Sequence, residues 1–256
     1  MQNAPDELVA FFKEHPKAAL GLSGGVDSAY LLYAGIQCGA DMRAYFVRSV
    51  FQPEFEQEDA QRIAEDCGVS LAVLSNVDVL TNKMVAQNST ERCYHCKQMI
   101  FGSIAAQANA DGYHVLLDGT NASDDFDDRP GMRALTELSV YSPLRICGIT
   151  KQMVRGFARS AGLMVADKPA YACLATRIPT GMAITLALLN RVETAETQLF
   201  HMGYTDFRVR VRGNDALLQF SAEQLQRAIK GRLTLERALS QSFTAIEIDH
   251  KPRKGN

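Results

Sequence analysis

The sequence predicts an α/β protein, with a doubly wound parallel sheet domain over residues 1–168 and a small α+β domain over 169–256. Three observations point there. Short apolar runs alternate with helical stretches through the first two thirds of the chain. A Gly-rich turn, Ser23-Gly24-Gly25-Val26-Asp27-Ser28, separates the first apolar run from the first long helix. After about residue 168 the alternation gives way to a loop, a helix and a hairpin. Strands separated by helices mean βαβ units and a parallel sheet covered on both faces. A chain of 256 residues can bury a core in one large or two smaller domains.

The elements follow in order. AALGL (18–22) reads as the first strand, and the apolar stretch from the Gly-rich turn through Gly35 as a helix. MRAYFVRS (42–49) reads as the second strand. The helix after it carries Ala60, Ile63, Ala64 and Cys67 at i, i+3, i+4 and i+7, an inward stripe. VSLAVLS (69–75), YHVLLDG (113–119) and LSVYSPL (138–144) supply a third, fourth and fifth strand. A capped helix starts near Thr150, repeats the spacing at Val154, Phe157, Ala158 and Ala161, and stops at Gly162. Beyond 168, KPAYACLATRIPTG is a loop with two prolines and 185–202 a helix. FRVRVR-GND-ALLQF reads as a hairpin closed by Gly213–Asp215. A helix through Leu239 and a strand TAIEI (244–248) complete the chain, which has no repeats and no low-complexity tract.

Composition excludes several classes. Hydrophobic residues are 46% and charged residues 22%, ordinary globular usage that rules out a disordered or fibrous chain. With 27 Lys+Arg against 29 Asp+Glu, the net charge of −2 does not suit a bulk nucleic-acid coat, although a local basic patch is compatible with it. The start, MQNAPDELVAFFKEHPK, has neither a basic n-region nor a long apolar h-region, so no signal peptide is expected. No run approaches the roughly 18 apolar residues of a membrane helix. A cytoplasmic protein without a membrane partner is the expectation. Six cysteines are too few for a disulfide scaffold, and a cytosol would keep them reduced.

The Gly-rich turn carries the first chemistry. A strand–turn–helix junction offers free backbone N–H groups and a helix dipole to an anion. Gly24 and Gly25 let the backbone approach a polyphosphate, and Ser23 and Ser28 add hydroxyl donors. Asp27 inside such a cradle makes sense as a Mg²⁺ ligand. No GK[ST] follows, so the turn is not a Walker A loop, and it is not GxGxxG. The hexapeptide resembles the PP-loop of the ATP pyrophosphatase superfamily, whose sheet is of the adenine nucleotide alpha hydrolase-like kind. That resemblance implies ATP and Mg²⁺ as cofactors. A substrate oxygen attacks the α-phosphate, pyrophosphate leaves, and a nucleophile then displaces AMP. Asp118, Gly119, Thr120 and Asn121, at the end of the fourth strand, resemble the superfamily's second nucleotide-side segment, and Gly119, Thr120 and Asn121 are the nucleotide-binding candidates. Strand C-terminal ends are where open α/β sheets bind ligands.

The cysteines are unevenly placed. Cys93 and Cys96 form a CxxC pair flanked by Arg92 and Lys97, which favour thiolates, and Cys173 sits in the Pro- and Ala-rich loop. A redox CxxC lacks its thioredoxin-like context here, and a zinc site would want a fourth ligand. Three cysteines match a [4Fe-4S] cluster with one open iron. Unpaired buried thiols are the bland alternative, which suits Cys67 on its apolar stripe and Cys38 on the preceding helix; Cys147 is taken as structural.

PAYACLATRIPTG resembles a PxxACLAxRIPxG segment of the LarE family, ATP-dependent sulfur transferases of nickel-pincer nucleotide biosynthesis. The likeness extends to DGTNASDDFDDRPGMRAL, to SPL followed by TK and VR at 142–155, and to FRVR at 207–210, so it spans nearly the whole chain. It implies pyridinium-3,5-biscarboxylic acid mononucleotide as substrate and Cys173 as the sulfur-delivering residue. Family members with that cysteine alone sacrifice its sulfur. Members with two more cysteines resemble [4Fe-4S] enzymes, and Cys93, Cys96 and Cys173 put this chain with the latter. The sulfide donor is not identified by the sequence. A homo-oligomer is implied, a hexamer being the family's usual form, with no interface legible.

Arg208, Arg210 and Arg212 alternate with valines, so a strand puts them on one face, unmixed with acids and suited to phosphate. The resemblance places a substrate phosphate near Arg208 and Arg210 and sets Arg177 at the substrate. Glu196, on one helix face with Glu193, is assigned to orienting an arginine or binding a metal, against a solvated face. No metal is assigned to Asp124, Asp125, Asp127 and Asp128. The nearest rival is a PP-loop tRNA thiolase, disfavoured by the charge. An amidating synthetase has no use for clustered cysteines, and a non-catalytic zinc or nucleotide-binding module is the rival of a different class.

Overall fold

The computed structural model of the chain describes residues 4–124 and 130–253. It divides into two compact units, Met1–Val85 with Glu91–Lys168, and Ala86–Thr90 with Pro169–Asn256. In the first unit α1 (Asp6–Glu14) leads into β1 (Lys17–Gly21), α2 (Val26–Gln37), β2 (Asp41–Val47), α3 (Glu54–Asp66) and β3 (Leu71–Leu74). After α4 (Lys83–Ala86) come α5 (Arg92–Ala110), β4 (Leu116–Leu117), α6 (Pro130–Glu137), α7 (Pro143–Ile146) and α8 (Lys151–Ser160). The strands form a parallel sheet in the order β3-β2-β1-β4.

The two-residue period of a strand explains why β1 and β2 read as almost continuous apolar runs. Ala18, Leu20, Met42, Ala44 and Phe46 join Leu31 and Leu32 of α2, Ile63 of α3 and Val154 of α8 in one core. The alternate residues face the opposite way: a Cβ on Gly21 would stand 3.2 Å from the Phe101 ring of α5. Tyr45 is fully buried, and its hydroxyl donates to Asp111 at the end of α5 at 2.7 Å. Both faces are therefore covered, as the alternation of strands and helices predicts.

The fifth strand expected at 138–144 is reduced to a single bridge between Tyr141 and Leu117. Ser139 sits in the left-handed region, at φ 54°, and Pro143 opens α7 at its first turn, so the extended stretch between them is too short for a ladder. That bridge still fixes the site: Tyr141 N–H donates to Leu116 O at 2.8 Å, and Asp118 N–H to Tyr141 O at 2.9 Å.

The second unit holds a 3₁₀ turn at Leu174–Arg177, α9 (Leu186–His201), β5 (Phe207–Arg212), β6 (Asp215–Phe220), α10 (Ala222–Lys230), α11 (Arg232–Leu239) and β7 (Ile246–Ile248). β5 and β6 form the expected hairpin, with Arg212 opposite Asp215 and Gly213 at φ 62° in the two-residue turn. β7 adds to β6 in parallel. The single helix read through Leu239 is two, because Gly231 ends α10 and precedes α11, weakening the helix where glycine has most entropy to lose. No helix among the described residues is long and apolar enough to cross a membrane.

Residues Ala86–Thr90 leave the first unit's sequence neighbourhood and join the second. Asn88 is fully buried at φ 52°, and its Nδ2 donates to Ile178 O at 3.2 Å and Pro179 O at 2.9 Å. Gly181 N–H returns to Asn88 O at 2.9 Å. Asn88→Gly, which tolerates the left-handed backbone, is expected to lower stability by about 1–3 kcal/mol through the lost side-chain bonds. Asn88→Ala should cost about 1 kcal/mol more. Urea unfolding of the two variants separates the contributions, and equal losses would mean that the backbone conformation carries no strain.

Candidate active site

After β1 and Leu22 the chain turns through Ser23–Gly25 into α2, with Gly25 as the helix N-cap. Gly24 has φ +74°, and a Cβ there would meet the Glu56 carbonyl of α3 at 2.7 Å, so only glycine fits. Ser28 Oγ donates to Gly25 O at 3.3 Å and accepts from Ser23 N–H at 3.2 Å, and the two serine hydroxyls lie 3.1 Å apart. The first turn of α2 thus opens onto a loop lined by backbone N–H groups and hydroxyls, an arrangement that attracts anions.

The end of β4 packs directly on this loop. A Cβ on Gly119 would stand 2.8 Å from Ser28 N, which ties that glycine to close backbone approach. Asn121 Nδ2 donates to Asp27 Oδ1 at 3.2 Å, and Lys151 at the start of α8 forms an ion pair with the same carboxylate. Burial pushes the Asp27 carboxyl above its usual value, and the Lys151 ammonium opposes this without cancelling it. Thr120 faces inward: its hydroxyl donates to Asp118 at 2.5 Å, and Ser142 Oγ donates to the same carboxylate at 2.6 Å. Lys97 lies 4.0 Å from Asp118, and Lys168 donates to Gly24 O at 3.2 Å. Sequence reasoning alone does not assign Lys151 or Lys168 to the site, and it gives Lys97 a role only beside the cysteines. Lys151 does carry a signal, since it falls within a segment of the family likeness. Asp124 caps Asn121 N–H at 3.0 Å, whereas Asp125, Asp127, Asp128 and Arg129 lie outside the described residues.

Cys93 and Cys96 occupy the first turn of α5, one turn apart on one helix face, with Cys93 exposed and Cys96 half-buried. Arg92 Nη2 lies 3.5 Å from Cys93 Sγ. α6 braces this turn: Arg133 stacks on Tyr94 at 4.2 Å, and Tyr94 and Gln98 donate to Glu137 at 2.6 and 2.8 Å. None of the six cysteines is in a disulfide. Burial raises the thiols of Cys38 and Cys147, and that of Cys67 to about 11, as inert packed cysteines require. Cys93 and Cys96 offer the all-thiol donor type that suits iron. Among the described residues, no group of three or more His, Cys, Asp or Glu is gathered to hold a metal ion.

In the second unit Cys173 is the N-cap of the 3₁₀ turn. The Arg177 guanidinium, from a residue 1% exposed, binds Glu196 bidentately at 2.8 and 3.0 Å. Its Nη1 donates to Ala172 O at 2.7 Å and Cys173 O at 3.3 Å. Burial alone would lower the Arg177 pKa, but the adjacent Glu196 carboxylate outweighs it and holds it above the usual value. Glu196 also accepts from Val209 N–H at 2.9 Å and from the Tyr171 hydroxyl. It therefore lies in the core and orients an arginine; the solvated-face alternative is removed. Arg208 donates to Ala170 O at 2.5 Å and Phe207 O at 2.6 Å, and Arg210 to Thr176 O at 3.0 Å.

The expectation that the three strand arginines form a face unmixed with acids is corrected. Arg208 is only 6% exposed beside Glu196, and burial with the neighbouring Arg177 pushes its guanidinium down to about 10. Arg212 pairs with Glu247 of β7 at 2.5 Å, and Arg210 is exposed. The strand pleat sets the face, but the Cys173 loop and α9 cover one end of it.

A glycine turn at the C-terminal end of a central parallel strand, opening a helix and backed by the next strand's end, defines a PP-loop protein of the α/β class. No protein-family model matches the chain. It is 34% identical over 231 residues to an uncharacterised protein of Synechocystis, covering 90% of this chain and 86% of that one. It is 28% identical over 214 residues to the pyridinium-3,5-bisthiocarboxylic acid mononucleotide synthase of Lactiplantibacillus plantarum, covering 83% and 77%. Against the tRNA-specific 2-thiouridylase MnmA of Thermotoga petrophila identity is 25% over 193 residues, 59% of this chain and 54% of that protein. The chain belongs to the LarE family of ATP-dependent sulfurtransferases within the PP-loop superfamily.

Two outcomes are expected. Removing one partner of the buried pair, as in Arg177→Met, leaves Glu196 uncompensated and should destabilise by about 3–5 kcal/mol, read by chemical denaturation. In metal-free protein at pH 8, iodoacetamide should label Cys93 first, because a thiol at about 11 leaves Cys67 roughly one part in a thousand thiolate. Peptide mapping by mass spectrometry checks the order, and comparable rates would contradict the packing of Cys67.

Proposed function

We propose that this chain activates the carboxylates of a pyridinium-3,5-biscarboxylic acid mononucleotide with ATP and converts them to thiocarboxylates for nickel-pincer nucleotide assembly. The observation that carries the reading is the presence in one chain of an anion loop and of cysteines that lie outside both disulfides and the apolar core. The named activity of the Lactiplantibacillus relative supports the substrate. In the first half-reaction a carboxylate oxygen attacks the α-phosphorus of ATP, the bond to pyrophosphate breaks, and an acyl-adenylate forms. Ser23, Gly24, Gly25 and Ser28 hold the leaving pyrophosphate, with Gly119, Thr120 and Asn121 forming the opposite wall. Asp27 would hold Mg²⁺ once Lys151 is drawn onto phosphate, which places a cation at the developing negative charge. In the second half-reaction a sulfur nucleophile attacks the acyl carbon and AMP departs.

Cys93, Cys96 and Cys173 would hold a [4Fe-4S] cluster, whose iron without a protein ligand supplies a reloadable sulfide when the cluster is bound. Arg210, exposed on its strand, is assigned to the substrate phosphate. Arg177 and Arg208 act on the substrate through the Cys173 loop, whose carbonyls they hold, and Glu196 orients Arg177. The unit from Pro169 onward binds substrate and assembles the homo-oligomer, and the enzyme works in the cytoplasm. Likeness to tRNA thiouridylases keeps tRNA as the second reading, against which the net charge of −2 stands.

Anaerobically purified protein should carry about four irons and four acid-labile sulfides per chain, lost in Cys173→Ala. Exchange of labelled pyrophosphate into ATP should require the pyridinium dicarboxylate and persist in Cys173→Ala, because activation precedes sulfur transfer. Zinc, or no metal, would overturn the cluster and point to a sacrificial Cys173 that loses the mass of one H₂S on turnover. Exchange that depends on tRNA instead would select the thiolase.

A further inference from the structure

Lys168, which has no part in the two half-reactions, reaches the anion loop from outside. Its Nζ donates to the Gly24 carbonyl oxygen at 3.2 Å and forms an ion pair with Asp59 of α3. The ammonium also lies 5.0 Å from the centre of the Phe55 ring. The backbone behind it is clamped, because Arg155 donates to Ala166 O at 2.7 Å and to Lys168 O at 2.9 Å. The lysine is thus held at both ends, by a fixed main chain and by a half-buried carboxylate, and from that position it reaches a single loop carbonyl.

That carbonyl belongs to the Gly24–Gly25 peptide. In a planar trans peptide the C=O and the following N–H point in opposite directions. Holding Gly24 O toward Lys168 therefore turns Gly25 N–H the other way, into the loop, where it donates to Ser23 Oγ at 3.4 Å, a long bond that an anion in the loop can share. A peptide between two glycines has no Cβ on either side to resist flipping, so its orientation comes from what its oxygen and its N–H bind, and of those two partners Lys168 brings the charge. We infer that Lys168 is a positioning residue for the phosphate loop: it sets the Gly24–Gly25 peptide plane so that the Gly25 N–H faces a bound polyphosphate. The inference rests on the nucleotide reading of the loop and adds to it the residue that orients one of its donors.

The test is equilibrium dialysis of ATP, inorganic pyrophosphate and AMP against the parent, Lys168→Met and Lys168→Arg. Lys168→Met should bind ATP and pyrophosphate at least about tenfold more weakly, the loss of one hydrogen bond involving a charged group. AMP, which places no pyrophosphate in the loop, should bind as it does to the parent. Lys168→Arg, with donors on a stem of similar length, should recover part of the loss. Equal weakening of all three ligands would mean general damage and overturn the inference, as would unchanged pyrophosphate binding by Lys168→Met. If Lys168→Met fails to fold, Asp59→Asn keeps the lysine but removes its ion pair. Selective loss of pyrophosphate affinity there supports the inference, and no loss overturns it. Failure of the parent to bind ATP or pyrophosphate would instead overturn the nucleotide reading and this inference with it.

Discussion

The first unit depends on one steric constraint: backbone must meet backbone where the phosphate loop sits. Gly24 lies against the start of α3 and Gly119 against Ser28, and at each position a Cβ would fall within 3 Å of a main-chain atom. A loop lined by backbone N–H groups and hydroxyls has no large side chains to fill it, so its shape has to be imposed from behind. The strand end at Asp118–Asn121, the start of α3 and Lys168 supply that support. The tie between Tyr141 and β4 fixes the strand end in turn, even though no fifth strand forms.

Charge organises both units, with unequal consequences. Exposed pairs such as Lys17–Asp41 and Arg212–Glu247 contribute little. Arg177–Glu196 is different, since both side chains are essentially out of solvent and every oxygen of the carboxylate is occupied. The pair gathers the turn that carries Cys173, the start of β5 and α9 around one carboxylate. Arginines accept the job because their planar fork can serve a carboxylate and loop carbonyls at once. The three arginines Arg177, Arg208 and Arg210 bind carbonyls of Ala170, Ala172, Cys173 and Thr176, so the loop has partners for polar groups that would otherwise be left wanting.

Much of the site is legible in the amino-acid sequence. The Ser23–Ser28 turn, the Asp118–Asn121 strand end and the CxxC of α5 are local features, written in consecutive residues whose spacing alone implies their geometry. Elements with a strong period are legible too, down to the Thr150 cap and the Gly162 stop of α8. The features that the sequence misrepresents lack such a local signature. A run of β-formers at 138–144 becomes one bridge between Ser139 and Pro143, and the helix expected to reach Leu239 breaks at Gly231. Lys168 gives no local sign of the loop partner that lies 144 residues away.

The sequence by itself determined the fold class, the glycine turn before α2 and the family, because backbone geometry and short-range periodicity are properties of neighbouring residues. Only the tertiary structure decided which charges are exposed and which are committed. Arg208 and Glu196 look like surface residues in an alternating strand and an amphipathic helix, and both end in the interior. Burial is set by what packs on top of a face, and a pattern along one segment records which face it has, not what will cover it.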